Sequence, residues 1–233
     1  MAGVRVYLYF EPMVAPLTRE PHVPPSRPDS DGQTFAARHD LDGWEAKYAP
    51  YDEETYRFVL ARLRPDDVVL DIGAGDCRFA LAAAPRVARV YALEVQPALV
   101  SDCLRRVGED LPRQVHVICA NALDFPFPPD VTVGVLLMRH CTHFATYFRK
   151  LQAVGARWLF TNARWKMAVE AVDLQAPRLA FEEAPAGWYA CTCGAVGFKA
   201  PAEDEMAAFT EDALIHEVAF CPHCHPEIHD LTA

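Results

Sequence analysis

The chain has 233 residues, of which 52% are hydrophobic, and it carries a formal net charge of −10. This length suits one α/β domain with a small appendage and is too short for two full domains. The net negative charge argues against loose attachment to nucleic acid, which depends on cationic side chains, although a local basic patch is compatible with specific binding.

The apolar runs and the cysteines indicate the compartment of the protein. The run at residues 131–138 is strand-sized and far below the ~20 residues that a membrane span requires. Residues 1–10 lack the long apolar core and cleavage site of a signal peptide. We therefore expect a soluble, cytoplasmic protein without membrane attachment. In a reducing compartment, its eight cysteines are more typical of metal ligands than of disulfides.

Three segments are predicted along the chain. Residues 1–47 form an N-terminal arm and a connector, in which six prolines between residues 11 and 33 block both helix and sheet. Residues 48–180 are predicted to form the core, and residues 181–233 a C-terminal β element.

Within the core, apolar strands alternate with helical patterns. Helices are predicted from Asp52 onward and at Arg78–Ala84, Pro97–Val107 and Phe144–Leu151. Five strands are predicted at Val68–Ile72, Val87–Val95, Val115–Ala120, Val131–Met138 and Arg157–Thr161. Such an alternation predicts an α/β fold with a mostly parallel sheet that is covered by helices on both faces.

The segment VVLDIGAGDCRFA, residues 68–80, is the strongest motif. Gly73 and Gly75 follow the first predicted strand, where they allow a sharp turn and leave room for a ligand near a helix N-terminus. Glu94 ends the second strand, where a carboxylate can accept hydrogen bonds from both hydroxyls of a ribose. The motif therefore predicts a site for a nucleotide-like ligand.

Charges around this loop favour a cationic ligand. Arg78 occupies the position of the third glycine of a dinucleotide site, and Asp71 and Asp76 add two carboxylates, which would repel a pyrophosphate. A ligand with an amino group or a sulfonium suits such a loop better.

This segment resembles the first motif of the class I, seven-strand S-adenosylmethionine-dependent methyltransferases, an acidic residue followed by x-Gly-x-Gly. The resemblance covers roughly Tyr48–Asn162 and implies a Rossmann-like fold, methyltransferase activity and S-adenosylmethionine as cofactor. It also implies cofactor-binding positions, namely Asp71, Gly73 and Gly75 at the methionine part, Asp76 in the same loop, Glu94 at the ribose, and Asn121 and Ala122 at the adenine.

Candidate catalytic residues follow the fourth and fifth strands. Methyl transfer is an in-line displacement that needs an oriented nucleophile and, for some acceptors, a base. His140 and His143 are candidate bases because imidazole titrates near neutral pH; alternatively, they cap the strand and begin the next helix. Residues 162–165 could add an amide, a guanidinium and an indole to the rim of the pocket, or could serve as a helix cap with surface packing.

Four C-terminal cysteines have the spacing of a metal site. Cys191 and Cys193 form one close pair, and Cys221 and Cys224 form a second, so two tight turns can supply four thiolates to one tetrahedral ion. Zinc is the natural occupant, in a structural role that joins a hairpin at residues 188–198 to a strand at residues 214–220. The alternatives are a histidine ligand from His216, His223 or His225, an iron-sulfur cluster, and a redox dithiol.

The expected methyl acceptor is a protein or another macromolecule, because zinc ribbons commonly present a rigid surface to a partner. Residues 48–76 also look loosely like the start of small bacterial methyltransferases that are related to lysine-modifying enzymes. A small-molecule acceptor is the nearest alternative. RNA methylation is less favoured, and base N-methylation is weakened by the lack of an Asn/Asp-Pro-Pro-aromatic motif after the fourth strand. A non-catalytic, zinc-stabilised interaction module is the alternative from another class.

Overall fold

The structure, a computed structural model, describes residues 53–166, 168–203, 206 and 214–225. The predicted N-terminal arm and connector, residues 1–47, lie outside the described residues. The helices are α1 (Glu53–Leu60), α2 (Arg78–Ala83), α3 (Pro97–Val107) and α4 (Phe144–Ala153). The strands are β1 (Val68–Ile72), β2 (Arg89–Glu94), β3 (Val115–Cys119), β4 (Val133–Leu136), β5 (Trp158–Thr161), β6 (Glu170–Asp173), β7 (Gly187–Cys191), β8 (Val196–Lys199) and β9 (Ile215–Val218).

Six strands form the main sheet in the order β3-β2-β1-β4-β5-β6. The first five are parallel, and β6 is antiparallel to β5. Sequence analysis did not predict β6, since its sequence EAVD is short and half polar. The predicted mostly parallel α/β fold is confirmed.

The strand order reverses at β1, which determines where the helices lie. From β1 the chain moves outward through β2 to β3, and β4 leads to β5 in the opposite direction. Because parallel crossovers are right-handed, α2 and α3 cover one face and α4 covers the other. On the α4 face, a Cβ atom at Gly134 would lie 2.5 Å from Leu151 Cδ1, so glycine allows α4 to pack directly on β4. Ligands of such sheets bind where the order reverses, at the carboxyl ends of β1 and β4.

Local sequence explains the borders of the best-predicted helix. Pro97 begins α3, since its fixed φ suits the first helical turn and its missing N–H has no partner there anyway. Gly108 ends the helix with a φ of +56°, and two arginines in the last turn complement the helix dipole.

A second, three-stranded sheet has the order β8-β7-β9. Strand β7 pairs antiparallel with β8 and parallel with β9, as expected for the predicted hairpin and the strand beside it. A small buried cluster of Ala184, Cys191, Val218 and Cys221 supports this sheet. Among the described residues, no helix combines the length and apolar character that a membrane span needs.

Candidate functional site

The loop after β1 depends on its two glycines. Gly73 has a φ of +78° and Gly75 a φ of +55°, a region that favours glycine. A Cβ atom at Gly73 would lie 3.0 Å from Met138 Sδ, at the end of β4. The Gly73 and Ala74 N–H groups donate to the Leu93 carbonyl at 2.9 and 3.1 Å. The loop is therefore anchored to β2 and packed closely against the segment that follows β4.

Glu94 connects this loop to the end of β2. Its side chain is 5% exposed. Oε2 accepts a hydrogen bond from the Gly75 N–H at 2.8 Å, and Oε1 accepts one from the Gln96 N–H at 2.9 Å. Each carboxylate oxygen can accept a further bond, so Glu94 can hold the loop and bind two ribose hydroxyls at once.

Asp71, in β1, is a buried carboxylate with an unpaired oxygen. It is 4% exposed, and among the described residues no donor reaches its Oδ2 atom. Burial, followed by the nearby charges of Glu94 and Asp76, raises the pKa of Asp71 to about 8. A carboxylate in this situation is stabilised by a cation, which fits the amino group or sulfonium of the predicted cofactor.

Asp76 is just as buried, but its charge is compensated. Arg106 Nη1 lies 2.8 Å and Arg78 Nη2 lies 3.3 Å from Oδ2, and Arg106 also donates to the Asp76 carbonyl at 2.7 Å. Asp76 thus joins the loop to α3 through ion pairs. Asp71 and Asp76 therefore have different electrostatic environments. Their similar positions in the sequence motif do not indicate this difference.

The loop after β3 is held by Asn121 and by Lys150, a residue that sequence analysis did not single out. Asn121 Oδ1 accepts a hydrogen bond from the Leu123 N–H at 3.0 Å, which shapes the turn. Lys150 Nζ, from α4, donates to the carbonyls of Ala122, Leu123 and Phe125 at 2.6, 3.0 and 2.7 Å. No local pattern could have indicated this role of Lys150, because its three partners are distant in sequence.

The two candidate bases lie in the segment between β4 and α4. Both His140 and His143 are exposed, and His143 directly precedes α4 without capping it through its side chain. This segment begins with Met138, which packs on the glycine loop. The histidines are therefore at the edge of the sheet where the cofactor is predicted, accessible to an acceptor, and their catalytic role stays a prediction.

The segment after β5 contains a buried amide. Asn162 is 1% exposed, and neither atom of its side-chain amide has a hydrogen-bond partner among the described residues. Leaving a buried polar group unsatisfied costs about 1–3 kcal/mol, so such a group calls for an explanation. Asn162 directly follows Thr161, which pairs with Leu136 of β4, so the amide lies at the same carboxyl edge.

The four cysteines come together as predicted. The distance between Sγ atoms is 3.8 Å for Cys191–Cys224, 3.8 Å for Cys193–Cys221 and 4.0 Å for Cys221–Cys224. A tetrahedral ion with metal–sulfur bonds of about 2.3 Å separates its ligands by about 3.8 Å. All four atoms lie within 4.8 Å of one another, and the group contains none of the three nearby histidines.

Turns and burial prepare this cluster for a cation. The Cys221 N–H donates to Cys224 Sγ at 3.4 Å, and the Ala195 N–H donates to Cys193 Sγ at 3.5 Å, as in metal knuckles. Burial raises the pKa of the Cys193 thiol to about 11 and that of Cys191 above its ordinary value. Four thiolates this close together need a metal ion to balance their charge, and the short distances fit one ion better than a larger cluster.

Comparison with protein families identifies the core. Residues 69–159 match the family that is described as a methyltransferase domain. The matched region is thus similar to methyltransferase domains. It includes the glycine loop, Glu94, Asn121 and both candidate histidines, and the four cysteines lie beyond its C-terminal end.

Solved structures share parts of this fold. The chain is similar to the YcgJ protein of Bacillus subtilis, with 19% identity and a TM-score of 0.41 over 47% of this chain and 50% of that one. It is also similar to YjhP of E. coli, with 17% identity and a TM-score of 0.42 over 56% and 54%. A methyltransferase from Aquifex aeolicus aligns with 20% identity and a TM-score of 0.34 over 40% and 52%. The chain thus spans about half the length of these proteins. A comparison with curated protein sequences found no match.

The main sheet is joined to the second sheet by a buried ion-pair network. Arg164, for which the sequence allowed either the rim of the pocket or a helix cap with surface packing, is buried, with 2% of its surface exposed. Its Nε and Nη2 atoms contact Glu170 at 2.8 and 2.7 Å. Its Nη1 and Nη2 atoms contact Glu217 at 2.9 and 2.6 Å. Because Glu170 lies in β6 and Glu217 in β9, one guanidinium connects the two sheets. Trp165, next in sequence, packs edge-on against Trp188 with 6.0 Å between ring centroids.

Proposed function

We propose that the protein transfers the methyl group of S-adenosylmethionine to a protein or another macromolecular acceptor. One observation carries the proposal: the region that matches the methyltransferase family contains a glycine loop beside a buried carboxylate, Asp71, and no donor from the described residues reaches its Oδ2 atom. This environment favours a cationic ligand and disfavours a pyrophosphate.

Different residues around the loop are proposed to bind different parts of the cofactor. Asp71 stabilises the cationic part, the glycines leave space for the methionine chain, and Glu94 accepts hydrogen bonds from the ribose. Asp76 supports the loop through its arginines. The residues that we propose to bind the cofactor are Asp71, Gly73, Gly75, Asp76, Glu94, Asn121 and Ala122. When bound, S-adenosylmethionine supplies an activated methyl group on a sulfonium.

The acceptor is proposed to bind beside the ends of β4 and β5. The unsatisfied amide of Asn162 can orient a polar group of the acceptor, because it offers both donors and an acceptor. His140 or His143 can remove a proton from the acceptor, and their exposure supports access from solvent. The chain's main contribution is to hold the acceptor atom in line with the methyl group.

The four-cysteine cluster is proposed to bind Zn²⁺ as a closed structural site. Its sulfur spacing supports a single tetrahedral ion, and four thiolates leave no coordination position for water. Such thiolates persist in a reducing compartment, which favours the cytoplasm. We further propose residues 48–180 and 181–233 as the methyltransferase core and the metal-bound element, with residues 1–47 as the arm.

A macromolecular acceptor is supported by the surface of this element. Trp188 and Phe198 are cross-strand partners on β7 and β8. Their rings pack edge-to-face with 5.5 Å between the centroids, and the two residues are 40% and 41% exposed. Exposed aromatic rings are typical of protein-binding surfaces. The net charge of −10 makes nucleic acid a less favoured acceptor.

Labelled S-adenosylmethionine and a fractionated cell extract test the proposal. We expect purified protein to transfer label into a protein fraction, and Glu94→Ala to abolish transfer because it loses the ribose acceptor and the anchor of the loop. Glu109→Ala, an exposed glutamate, is the matched control and should keep full activity.

Other outcomes of this experiment would change the proposal. Label in the low-molecular-weight fraction would make the acceptor a small molecule. Label in RNA, with binding that weakens steeply with salt, would favour RNA methylation. Folded protein that neither binds the cofactor nor transfers label would contradict the proposal and favour a non-catalytic interaction module.

A further inference from the structure

The turn of the first cysteine pair packs on the first residue of α4. Gly194, between the cysteine pair and β8, has a φ of +98°. A Cβ atom there would lie 3.1 Å from both Cβ and Cδ1 of Phe144. Phe144 begins α4 and directly follows the candidate base His143. A single close contact therefore connects the cysteine cluster to the acceptor side of the methyltransferase domain.

Arg164 reaches the same phenylalanine from the opposite direction along the chain. Its guanidinium carbon lies 5.8 Å from the centroid of the Phe144 ring, while its nitrogens hold Glu217 of β9. Strand β9 is hydrogen-bonded to the cysteine turn, since the Thr192 N–H donates to the Val218 carbonyl at 3.3 Å, and the Thr192 hydroxyl donates to the carbonyl of the next residue, Ala219, at 2.6 Å. The ring of Phe144 thus contacts both the cysteine turn and the ion pair that fixes β9.

The cofactor side has different supports. Asp71 is in β1, Glu94 bonds to Gly75 and Gln96, and Asp76 bonds to Arg78 and Arg106. All of these residues belong to the first half of the methyltransferase domain, on α2, α3 and the strands beside them. Asp71, Glu94 and Asp76 are therefore supported by other contacts than the segment with His140 and His143, whereas the predicted adenine loop is held from α4 by Lys150.

We infer that metal binding by the four cysteines orders the acceptor side of the active site, with Gly194 and Arg164 as positioning residues that act through Phe144. The metal fixes the turn at residues 191–194, the turn and Arg164 fix Phe144, and Phe144 fixes the start of α4. Without the metal, the four close sulfur atoms lose their common partner and this chain of contacts loosens. The inference rests on the proposed function where it assigns the segment with His140 and His143 to the acceptor side. The contacts around Phe144 are independent of that function.

Hydrogen exchange on the full chain, with and without metal, tests this inference. Zinc-loaded protein is compared with protein after chelation, and metal release is checked by elemental analysis. We expect backbone amides in residues 141–150 to exchange about tenfold faster after chelation, because the first turn of α4 opens more often. Residues 89–107, which form β2 and α3, should exchange at the same rate.

A pair of glycine variants separates the contact from general backbone strain. Gly194→Ala introduces a methyl group against Phe144 at a positive φ, whereas Gly155→Ala has a similar φ of +80° with no atom within 4 Å of the new Cβ. Gly194→Ala, still loaded with zinc, should reproduce the faster exchange of residues 141–150. Gly155→Ala should leave the exchange of residues 141–146 unchanged.

Several results would overturn the inference. One is unchanged exchange in residues 141–150 after confirmed metal loss, or no metal bound at all. Another is equally faster exchange in residues 89–107, since the metal would then hold the entire fold. The proposed function can fail independently of this inference. In that case the protein would not bind the cofactor, but the hydrogen-exchange rates with and without metal could still be compared.

Discussion

Two buried ionisable side chains, Asp71 and Arg164, have opposite environments. Arg164 makes four hydrogen bonds to two carboxylates and joins two sheets. Asp71 is equally inaccessible, yet its Oδ2 atom has no donor among the described residues. Buried polar groups in folded proteins normally have hydrogen-bond partners, so we propose a structural role for Arg164 and a ligand-binding role for Asp71. Burial and the type of side chain do not distinguish Asp71 from Arg164. The two residues differ in whether their polar atoms have hydrogen-bond partners.

Arg164→Ala should have the largest effect on stability. The variant removes the cation that pairs with Glu170 and leaves Glu217 with Arg178 at 3.7 Å, and breaking such a buried network costs about 3–5 kcal/mol. Urea denaturation measures the loss in free energy of unfolding. Arg57→Ala, which breaks an exposed helical pair with Glu53, should cause no measurable change. Equal stability of the Arg164 and Arg57 variants would show that the network does not hold the sheets together.

Asp71→Asn should weaken cofactor binding without weakening the free protein. Removal of the charge should lower S-adenosylmethionine affinity by roughly 10- to 100-fold, as expected for a hydrogen bond to a charged group. Asp76→Asn, at a neighbouring buried carboxylate with two arginine partners, should instead destabilise the fold. Calorimetric titration and thermal unfolding of both variants make the comparison. If Asp71→Asn lost stability as Asp76→Asn does, Asp71 would be a structural charge.

Lys150→Met should have a smaller effect, because it removes one ammonium group that bonds three carbonyls of the predicted adenine loop. We expect a loss of about 1–2 kcal/mol in the free energy of unfolding. Arg149→Met, at the exposed neighbour in the same helix, should have almost no effect. An equal loss in both variants would indicate a general effect on α4.

The pH dependence of stability should report the protonation state of Asp71. Folded Asp71 keeps its proton up to about pH 8, whereas the unfolded chain loses it near pH 4. The folded state therefore binds more protons between these values, and the free energy of unfolding decreases as pH rises from about 4 to 8. Asp71→Asn removes this contribution, so its Tm should rise relative to that of the wild type as the pH increases from about 4 to 8.

The difference between the two Tm values isolates this carboxyl group. Asp67, whose pKa burial raises to about 7, is present in both proteins and cancels. A difference that stayed constant with pH would mean that Asp71 is ionised in the folded protein throughout the range.

Strong local signals explain which parts of the fold were predictable. Strand β1 and helix α3 have the predicted bounds, because a glycine loop ends the first and Pro97 and Gly108 delimit the second. The cysteine cluster was predictable because two close pairs leave few other arrangements for four thiols. Strand β6 was missed, since four residues with two acids carry almost no periodic signal.

Long-range partners explain what sequence could not predict in the site. Arg164 follows β5, a typical rim position, but its partner Glu217 is far away in sequence and draws the guanidinium into the interior. Asp71 and Asp76 look equivalent in the motif, and only the position of Arg106 on α3 distinguishes them. The same holds for Lys150, whose role depends on how α4 lies against the loop after β3.

Calorimetry on folded, zinc-loaded protein tests the central claim most directly, by titrating S-adenosylmethionine and NAD separately into the wild type and Asp71→Asn. The account predicts that the wild type binds S-adenosylmethionine, that Asp71→Asn binds it at least about tenfold more weakly, and that neither binds NAD appreciably. Tight binding of NAD with no response to S-adenosylmethionine would contradict it.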